Sequence, residues 1–246
     1  MILGPDRTKL SKRHGATSIV EFMERGYLPQ AMVNFLALLG WSLDDRTEIL
    51  SREELMKYFS LERVGKTPAI FNYDKFNWMN GVYMRGLSEQ EFGEMAIPFL
   101  KRELPSEALS ALSLDYVCQI APLVQERAKT LGELPQFTDF FFVDELTYDA
   151  NLLLGKAVKQ EMAMRALEMG WERLQSLEAF DANSLEDVLR PLAAELGLKT
   201  GELFSLLRVA TTGRTAAPPL FQTMAVLGKD RCLFRIQRAL QKLRQL

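Results

Sequence analysis

Apolar positions along this chain recur at three- and four-residue spacings between capping and stop signals, the pattern of amphipathic helices. Ser18-Ile19-Val20-Glu21 has the S-x-x-E form of a capping box, and Phe22 and Met23 carry the apolar face on until Gly26. Pro29 suits the first turn of a second helix, whose run from Ala31 to Leu39 ends at Gly40, before Trp41. Ser51-Arg52-Glu53-Glu54 opens a short helix to about Phe59. From Asn72 to Asn80, Phe76 and Met79 share one helical face, and Phe71, Phe76 and Trp78 are expected in the core. Ser88-Glu89-Gln90-Glu91 caps the next helix, after a break at Gly86. The stretch from Leu114 to Leu134 reads as helical, with Tyr116, Val117, Ile120, Leu123 and Val124 in register and Pro122 starting or kinking a helix. Between Lys156 and Gly197 three helices are expected: Val158 to Met169, Trp171 to Phe180, and one capped by Ser184 and ending at Leu196. The fold class is all-α.

Composition narrows the chemistry. The 246 residues are 48% hydrophobic and 25% charged, enough for one or two domains with a sizeable core. A net charge of −2 means that any nucleic-acid contact depends on local clustering. Such a cluster exists at the end: from Lys199 to Leu246 nine basic residues face only Glu202 and Asp230, a candidate phosphate-binding face. The aromatic patch Phe137 to Phe142 adjoins Asp144, Glu145 and Asp149, whose charge repels phosphate, so it is expected to be a buried helix end. Cys118 and Cys232 are the two cysteines and read as reduced thiols with packing roles. One histidine excludes most triads and multi-histidine metal sites, and no metal site is expected. The chain lacks an apolar run long enough to span a membrane, and a soluble, cytoplasmic protein is expected.

The richest stretch lies near the amino terminus. Asp6-Arg7-Thr8-Lys9-Leu10-Ser11-Lys12-Arg13-His14-Gly15-Ala16 reads as a loop in which two lysines flank a small hydroxyl residue, a setting for a polyphosphate. Lys9-Leu10-Ser11-Lys12-Arg13 resembles the KMSKS loop of class I aminoacyl-tRNA synthetases, in the KLSKRHGA form of the bacterial glutamyl-tRNA synthetases. Asn72 to Asn80 resembles that family's F-D-x-x-K-L-x-W-x-N segment, with the aromatic and Leu positions changed. Gln125 to Leu131 resembles its V-Q-E-R-A-K-T-L helix. Leu207 to Thr215, Pro218 to Phe221 and Leu227 to Arg231 resemble its L-R-x-A-x-T-G, P-x-L-F and L-G-K-E-R elements.

The resemblance implies a stem-contact helical domain and a two-lobed helical anticodon-binding domain, an α-helix cage. It divides the chain into residues 1–16, the loop remnant of a catalytic domain; 17–86, the stem-contact domain; and lobes at 87–152 and 153–246. In the intact enzyme Lys9, Ser11 and Lys12 would contact ATP, used with Mg2+, and Lys9 and Lys12 would be catalytic. The implied partner is glutamate tRNA: Arg208 would read an anticodon base, Leu220 would pack against one, and Arg127, Arg214 and Lys229 would touch RNA. Neither DNA nor a membrane is an expected partner, and the chain is expected to be a monomer. The family's H-I-G-H motif is missing, His14 belongs to the loop, and no G-x-G-x-x-G turn appears. The expectation is therefore a carboxy-terminal fragment that binds tRNA, does not acylate it alone, and carries no bound cofactor. Two alternatives remain: an all-α protein-interaction scaffold, and a free-standing tRNA-binding factor descended from a synthetase.

Overall fold

The computed structural model describes residues 1–15, 17–155 and 158–246. Ala16, which closes the loop motif, and Lys156, the start of the expected three-helix stretch, lie outside the described residues. Helices dominate, in keeping with the all-α expectation. The strands among the described residues are β1 (Ile2–Leu3) and β2 (Ala69–Ile70), paired in parallel. The chain forms two compact units, Met1–Glu103 with Val124–Gln136, and Leu104–Leu123 with Phe137–Leu246. The four-part division by function is a separate matter, taken up below as a proposal.

The first unit contains α1 (Ile19–Glu24), α2 (Pro29–Leu38), α3 (Arg52–Tyr58), α4 (Tyr73–Arg85) and α5 (Glu89–Glu103). Its punctuation follows the sequence: Ser18 accepts the Glu21 amide at 3.2 Å, Ser51 that of Glu54 at 3.1 Å, and Ser88 that of Glu91 at 3.3 Å. Aromatic rings fill the core. Phe76 stacks on Tyr27 at 4.4 Å and on Phe35 at 4.6 Å, and Phe22 stacks on Phe71 at 5.5 Å. Trp78 departs from its expected core position and is 47% exposed. The buried face of α4 is set by Phe76, Met79 and Asn80, and two residues from Phe76 a helical side chain points to the far side.

The expected helical run from Leu114 to Leu134 stops early, and α6 is Leu114–Val124. The groups beyond it are used elsewhere. Gln125 Nε2 donates to the carbonyls of Met84 and Leu87 at 2.6 and 2.9 Å, and buried Asn80 donates to the Lys129 carbonyl at 2.6 Å. The amides of Leu131 and Gly132 donate to Gly26 and Arg25 at 3.0 and 3.2 Å. Tertiary hydrogen bonds thus outweigh helical propensity in this stretch. The close approach demands glycine: Gly26 has φ +81°, and a β-carbon there would fall 2.5 Å from the Gly132 nitrogen. The short α7 (Leu134–Thr138) follows.

The second unit is built on α8 (Asn151–Leu154), α9 (Gln160–Ser176), α10 (Ala182–Glu195), α11 (Thr200–Thr212), α12 (Leu220–Leu227) and α13 (Lys229–Leu243). Helix α13 packs on α9 and α11, and α10 on α9 and α12. Two helices expected between Val158 and Phe180 are one: Gly170 is buried within α9 and does not end it. Asp181, and not Ser184, caps α10, accepting the amides of Asn183 and Ser184 at 3.0 Å. Phe140, Phe141 and Phe142 are buried, as the acidic flank of the patch implies.

Candidate nucleic-acid interface

The amino-terminal loop is tied back on β1. The Leu10 amide donates to Ile2 at 3.1 Å, Lys9 bridges Leu3 in antiparallel fashion, and the Gly4 amide donates to Thr8 at 2.8 Å. Arg7 turns the chain with φ +61°. Within this turn the Asp6 carboxylate accepts the Thr8 amide at 3.0 Å and the Thr8 hydroxyl at 2.8 Å. Those bonds, with one from His14, hold the Asp6 carboxyl far below the usual carboxylate range. Arg13 reaches across to Asp6 and to the Thr8 hydroxyl at 3.2 and 2.7 Å. Ser11, half-buried, precedes a single 3₁₀ turn, Lys12–His14. Lys9 and Lys12 are both exposed. The loop offers two flexible point charges to solvent on a hydrogen-bonded base.

In the second unit, three expected residues lie along the stretch where α11 passes to α12. Arg208 is half-buried on α11, and its carbonyl accepts the Thr212 hydroxyl at 2.7 Å. Gly213, at φ +73°, ends the helix in the left-handed conformation and sends its amide to the Val209 carbonyl at 2.8 Å. Arg214 follows, with one guanidinium nitrogen 2.6 Å from both carboxylate oxygens of Asp139 and its charge 5.6 Å above the Phe140 ring. Thr215 and Ala216 are exposed, Pro218 is buried, and Leu220, the first residue of α12, is 5% exposed.

The remaining expected residues are elsewhere. Lys229 lies past the far end of α12, where its ammonium donates to the Leu177 carbonyl at 2.8 Å. It lines a cavity of about 770 Å³ with Tyr116, Arg231 and Phe234. Arg127 belongs to the first unit and is exposed on the turn after α6, not on the expected helix. Lys9, Ser11 and Lys12 also belong to the first unit.

Much of the basic end of the chain is already partnered within the second unit. Arg231 donates to the Phe141 carbonyl at 2.7 Å, Arg238 to Glu145 at 2.7 Å and Arg244 to Glu168 at 3.4 Å, while Lys242 sits 5.0 Å above the Tyr148 ring. Arg235 is buried outright, at 2% exposure, and donates to the carbonyls of Thr211, Phe140 and Val143. Acids at residues 139–168 thus pair with Arg214, Arg231, Arg238 and Arg244, in a segment that carries few acids of its own. Arg235 and the loop residues Asp6 and His14 take structural roles that the sequence reading did not assign them; periodicity on α13 places Arg235 on the face of Cys232 and Ile236, the available signal.

Comparison with known proteins fits this picture. A family model described as an anticodon binding domain matches residues 91–240, and one described as the catalytic domain of class I tRNA synthetases (E and Q) matches residues 1–78. A glutamate–tRNA ligase of Dehalococcoides mccartyi strain CBDB1 is 54% identical over 246 residues, all of this chain and 50% of the relative. One from Roseiflexus castenholzii is 48% identical over 238 residues, 96% of this chain and 47% of the relative. A crystal structure of a glutamate tRNA ligase from Elizabethkingia meningosepticum in complex with its amino acid superposes with a TM-score of 0.81 at 29% identity, covering 99% of this chain and 50% of that one. The chain spans about half the length of the curated relatives it matches.

Proposed function

The chain belongs to the glutamate–tRNA ligase family, most of it through the anticodon-binding domain, and from that premise we propose that it binds glutamate tRNA and reads its anticodon at the α11–α12 junction. The observation that carries this reading is the junction itself, which holds half-buried Arg208 on a helix ended by left-handed Gly213, next to exposed Thr215 and Ala216. A guanidinium held on a helix offers a fixed fork of donors to an unstacked base, whereas a loop lysine gives no such orientation. Arg214 reaches RNA by exchanging Asp139 for a phosphate, a swap of one half-buried, charge-assisted contact for another. Leu220 takes part through its small open surface or by holding Phe221 and Pro219 in place. Arg127 and Lys229 supply sequence-independent contacts with phosphates.

By role, we assign residues 1–16 to the catalytic remnant, 17–86 to stem contact, and 87–152 and 153–246 to the two lobes that engage the anticodon limb. In the intact enzyme ATP, with Mg2+, supplies the activation of the glutamate carboxylate. Exposed Lys9 and Lys12 and the Ser11 turn suit the binding of its triphosphate and the charge that develops as pyrophosphate leaves. A cytoplasmic location is part of this reading, supported by its likeness to glutamate–tRNA ligases.

The test is a titration of the chain with glutamate tRNA and an anticodon-swapped copy at two salt concentrations. Arg208→Ala should weaken binding to the native anticodon by roughly 5- to 100-fold and hardly affect the swapped RNA, by analogy with base readout in protein–DNA complexes. Lys229→Ala should weaken both RNAs equally and flatten the salt slope. Equal losses on both RNAs for Arg208→Ala refute base readout at that residue. Absence of binding to either RNA, at both salt concentrations, means either that the catalytic half supplies the affinity or that the chain is an interaction scaffold, and joining the chain to a catalytic half separates the two.

A further inference from the structure

The loop contains an internal fastening that the family resemblance does not assign. His14 is the single histidine of the chain, and its side chain is only 9% exposed although Lys12 and Arg13 beside it are open to solvent. The Ser11 amide points at its Nδ1 at 3.1 Å, and its Nε2 lies 3.1 Å from Asp6 Oδ1. A ring nitrogen that accepts an amide hydrogen carries no proton, so the proton of the neutral ring sits on Nε2 and is donated to Asp6. The 3.4 Å approach of Arg13 Nε to Nε2 is then a contact between two donors and contributes no hydrogen bond.

Two glycines bracket the ring. A β-carbon on Gly4 would lie 2.8 to 2.9 Å from His14 Cε1, Cγ and Nδ1, so the imidazole rests on bare backbone. Gly15, at φ +115°, turns the chain away immediately after it, with Tyr73 of α4 as its neighbour. The ring therefore joins the two ends of the turn: Gly4 and Asp6, next to the strand that pairs Leu3 with Lys9, and Ser11, which starts the 3₁₀ turn of Lys12.

We propose that His14 is a positioning residue, a neutral Nε2–H imidazole that clamps the Ser11 amide to Asp6 over Gly4 and so fixes the backbone from which Lys9 and Lys12 project toward a polyphosphate. The consequence for phosphate rests on the reading of the loop given above, whereas the clamp itself is independent of it. A pre-ordered turn presents both lysines without the ordering cost that a free loop pays on binding.

The clamp is tested on the full chain by imidazole 15N–1H correlation NMR, in which one histidine gives one unambiguous ring. The expected spectrum shows a protonated Nε2 and an acceptor Nδ1 near neutral pH. A dominant Nδ1–H tautomer, or an averaged mixture of the two, overturns the proposal. Loss of one hydrogen bond should speed solvent exchange of the Ser11 amide roughly 2- to 10-fold in His14→Ala, and Gly4→Ala should do the same with the histidine intact. His14→Asn, which can present an oxygen to the same amide, should restore part of the protection; unchanged exchange in His14→Ala overturns the clamp. Inorganic tripolyphosphate is the probe for the consequence: it should bind His14→Ala several-fold more weakly than the wild type, and equal binding overturns the positioning role. Lys12→Ala should abolish that binding and leave the ring spectrum as it is. If tripolyphosphate does not bind the wild type, the phosphate reading fails, and the ring spectrum and Ser11 exchange still decide the clamp.

Discussion

Arg235→Met separates a folding arginine from a reading one. The guanidinium is 2% exposed and donates to three carbonyls, that of Thr211 at 2.5 Å and those of Phe140 and Val143 at 2.6 Å, while its buried Nε has no protein partner among the described residues. Burial, and after it the neighbouring charge of Arg231, lowers its pKa to about 10, so it stays charged at neutral pH. Hydrogen bonds to a charged group contribute about 1.5–3 kcal/mol each, and the desolvation of the guanidinium offsets several kcal/mol of their sum. Methionine matches much of the volume, so the cavity term is small. What remains is the cost of two buried carbonyls and the half-buried one of Val143 left without a donor, about 3–5 kcal/mol in all, a large share of the roughly 5–15 kcal/mol that holds a typical domain together. Amide hydrogen exchange under increasing urea reads this helix by helix, and α11 and α13 should lose protection together. Arg235→Lys should fall between, because one ammonium cannot face carbonyls in three separate positions. A loss under about 1 kcal/mol in Arg235→Met would refute the reasoning, since it would mean that the three carbonyls are satisfied by water or by relaxation.

Three further outcomes are expected. Gly26→Ala places a β-carbon 2.5 Å from the Gly132 nitrogen at φ +81° and should destabilise the first unit by about 3 kcal/mol, measured by thermal unfolding; a neutral result would show that the Gly26–Gly132 approach is soft. Bonds from the Ser184 amide and hydroxyl hold the Asp181 carboxyl below its ordinary value of 3.8, so its contribution is present above that pH and is lost as pH falls through the lower folded-state value. Asp181→Ala should therefore lower stability at neutral pH and remove that part of the acid-induced loss, which urea midpoints at pH 7 and pH 3 would reveal; a difference independent of pH would refute the cap's ionic role. Burial pushes the Cys232 thiol up to about 12, so it should react with a thiol reagent only when the second unit unfolds, and fast labelling in the native state would contradict the packing.

Much of the fold was legible because local signals and tertiary structure agree. The capping boxes at Ser18, Ser51 and Ser88 form where the S-x-x-E spacing puts them. The errors arise where a distant partner outbids a local rule. Gly170 resembles a stop, yet α9 runs on through it, because the buried face of Ala163, Ala166, Leu167 and Leu174 continues on both sides of it. The segment after Val124 resembles a helix, yet Gly26, Arg25 and Asn80 take its backbone groups. Trp78 shows the limit of hydrophobicity as a guide: its register on α4, not its character, decides its exposure. The candidate residues of the loop were legible as a motif. Their fastening was not, since the Ser11–His14–Asp6 contacts depend on a turn at Arg7 that nothing in its side chain announces.

Charge is the property that the linear sequence misreported most. Counted along the chain, the segment from Lys199 to Leu246 is strongly basic. Counted in space, Arg214 faces Asp139, Arg238 faces Glu145, Arg244 faces Glu168, and Arg231 and Arg235 face carbonyls. The distinction bears on recognition. Exposed pairs contribute little to stability and are easily exchanged for a phosphate, so on the RNA-binding reading proposed above Arg238 and Arg244 form a reserve, with half-buried Arg214 the harder to exchange. Arg235 cannot join them, because releasing it would leave the buried carbonyls of Thr211 and Phe140 and the half-buried one of Val143 without donors. A count of exchangeable pairs, and not the formal charge of the segment, therefore sets the expected salt dependence of binding by this unit.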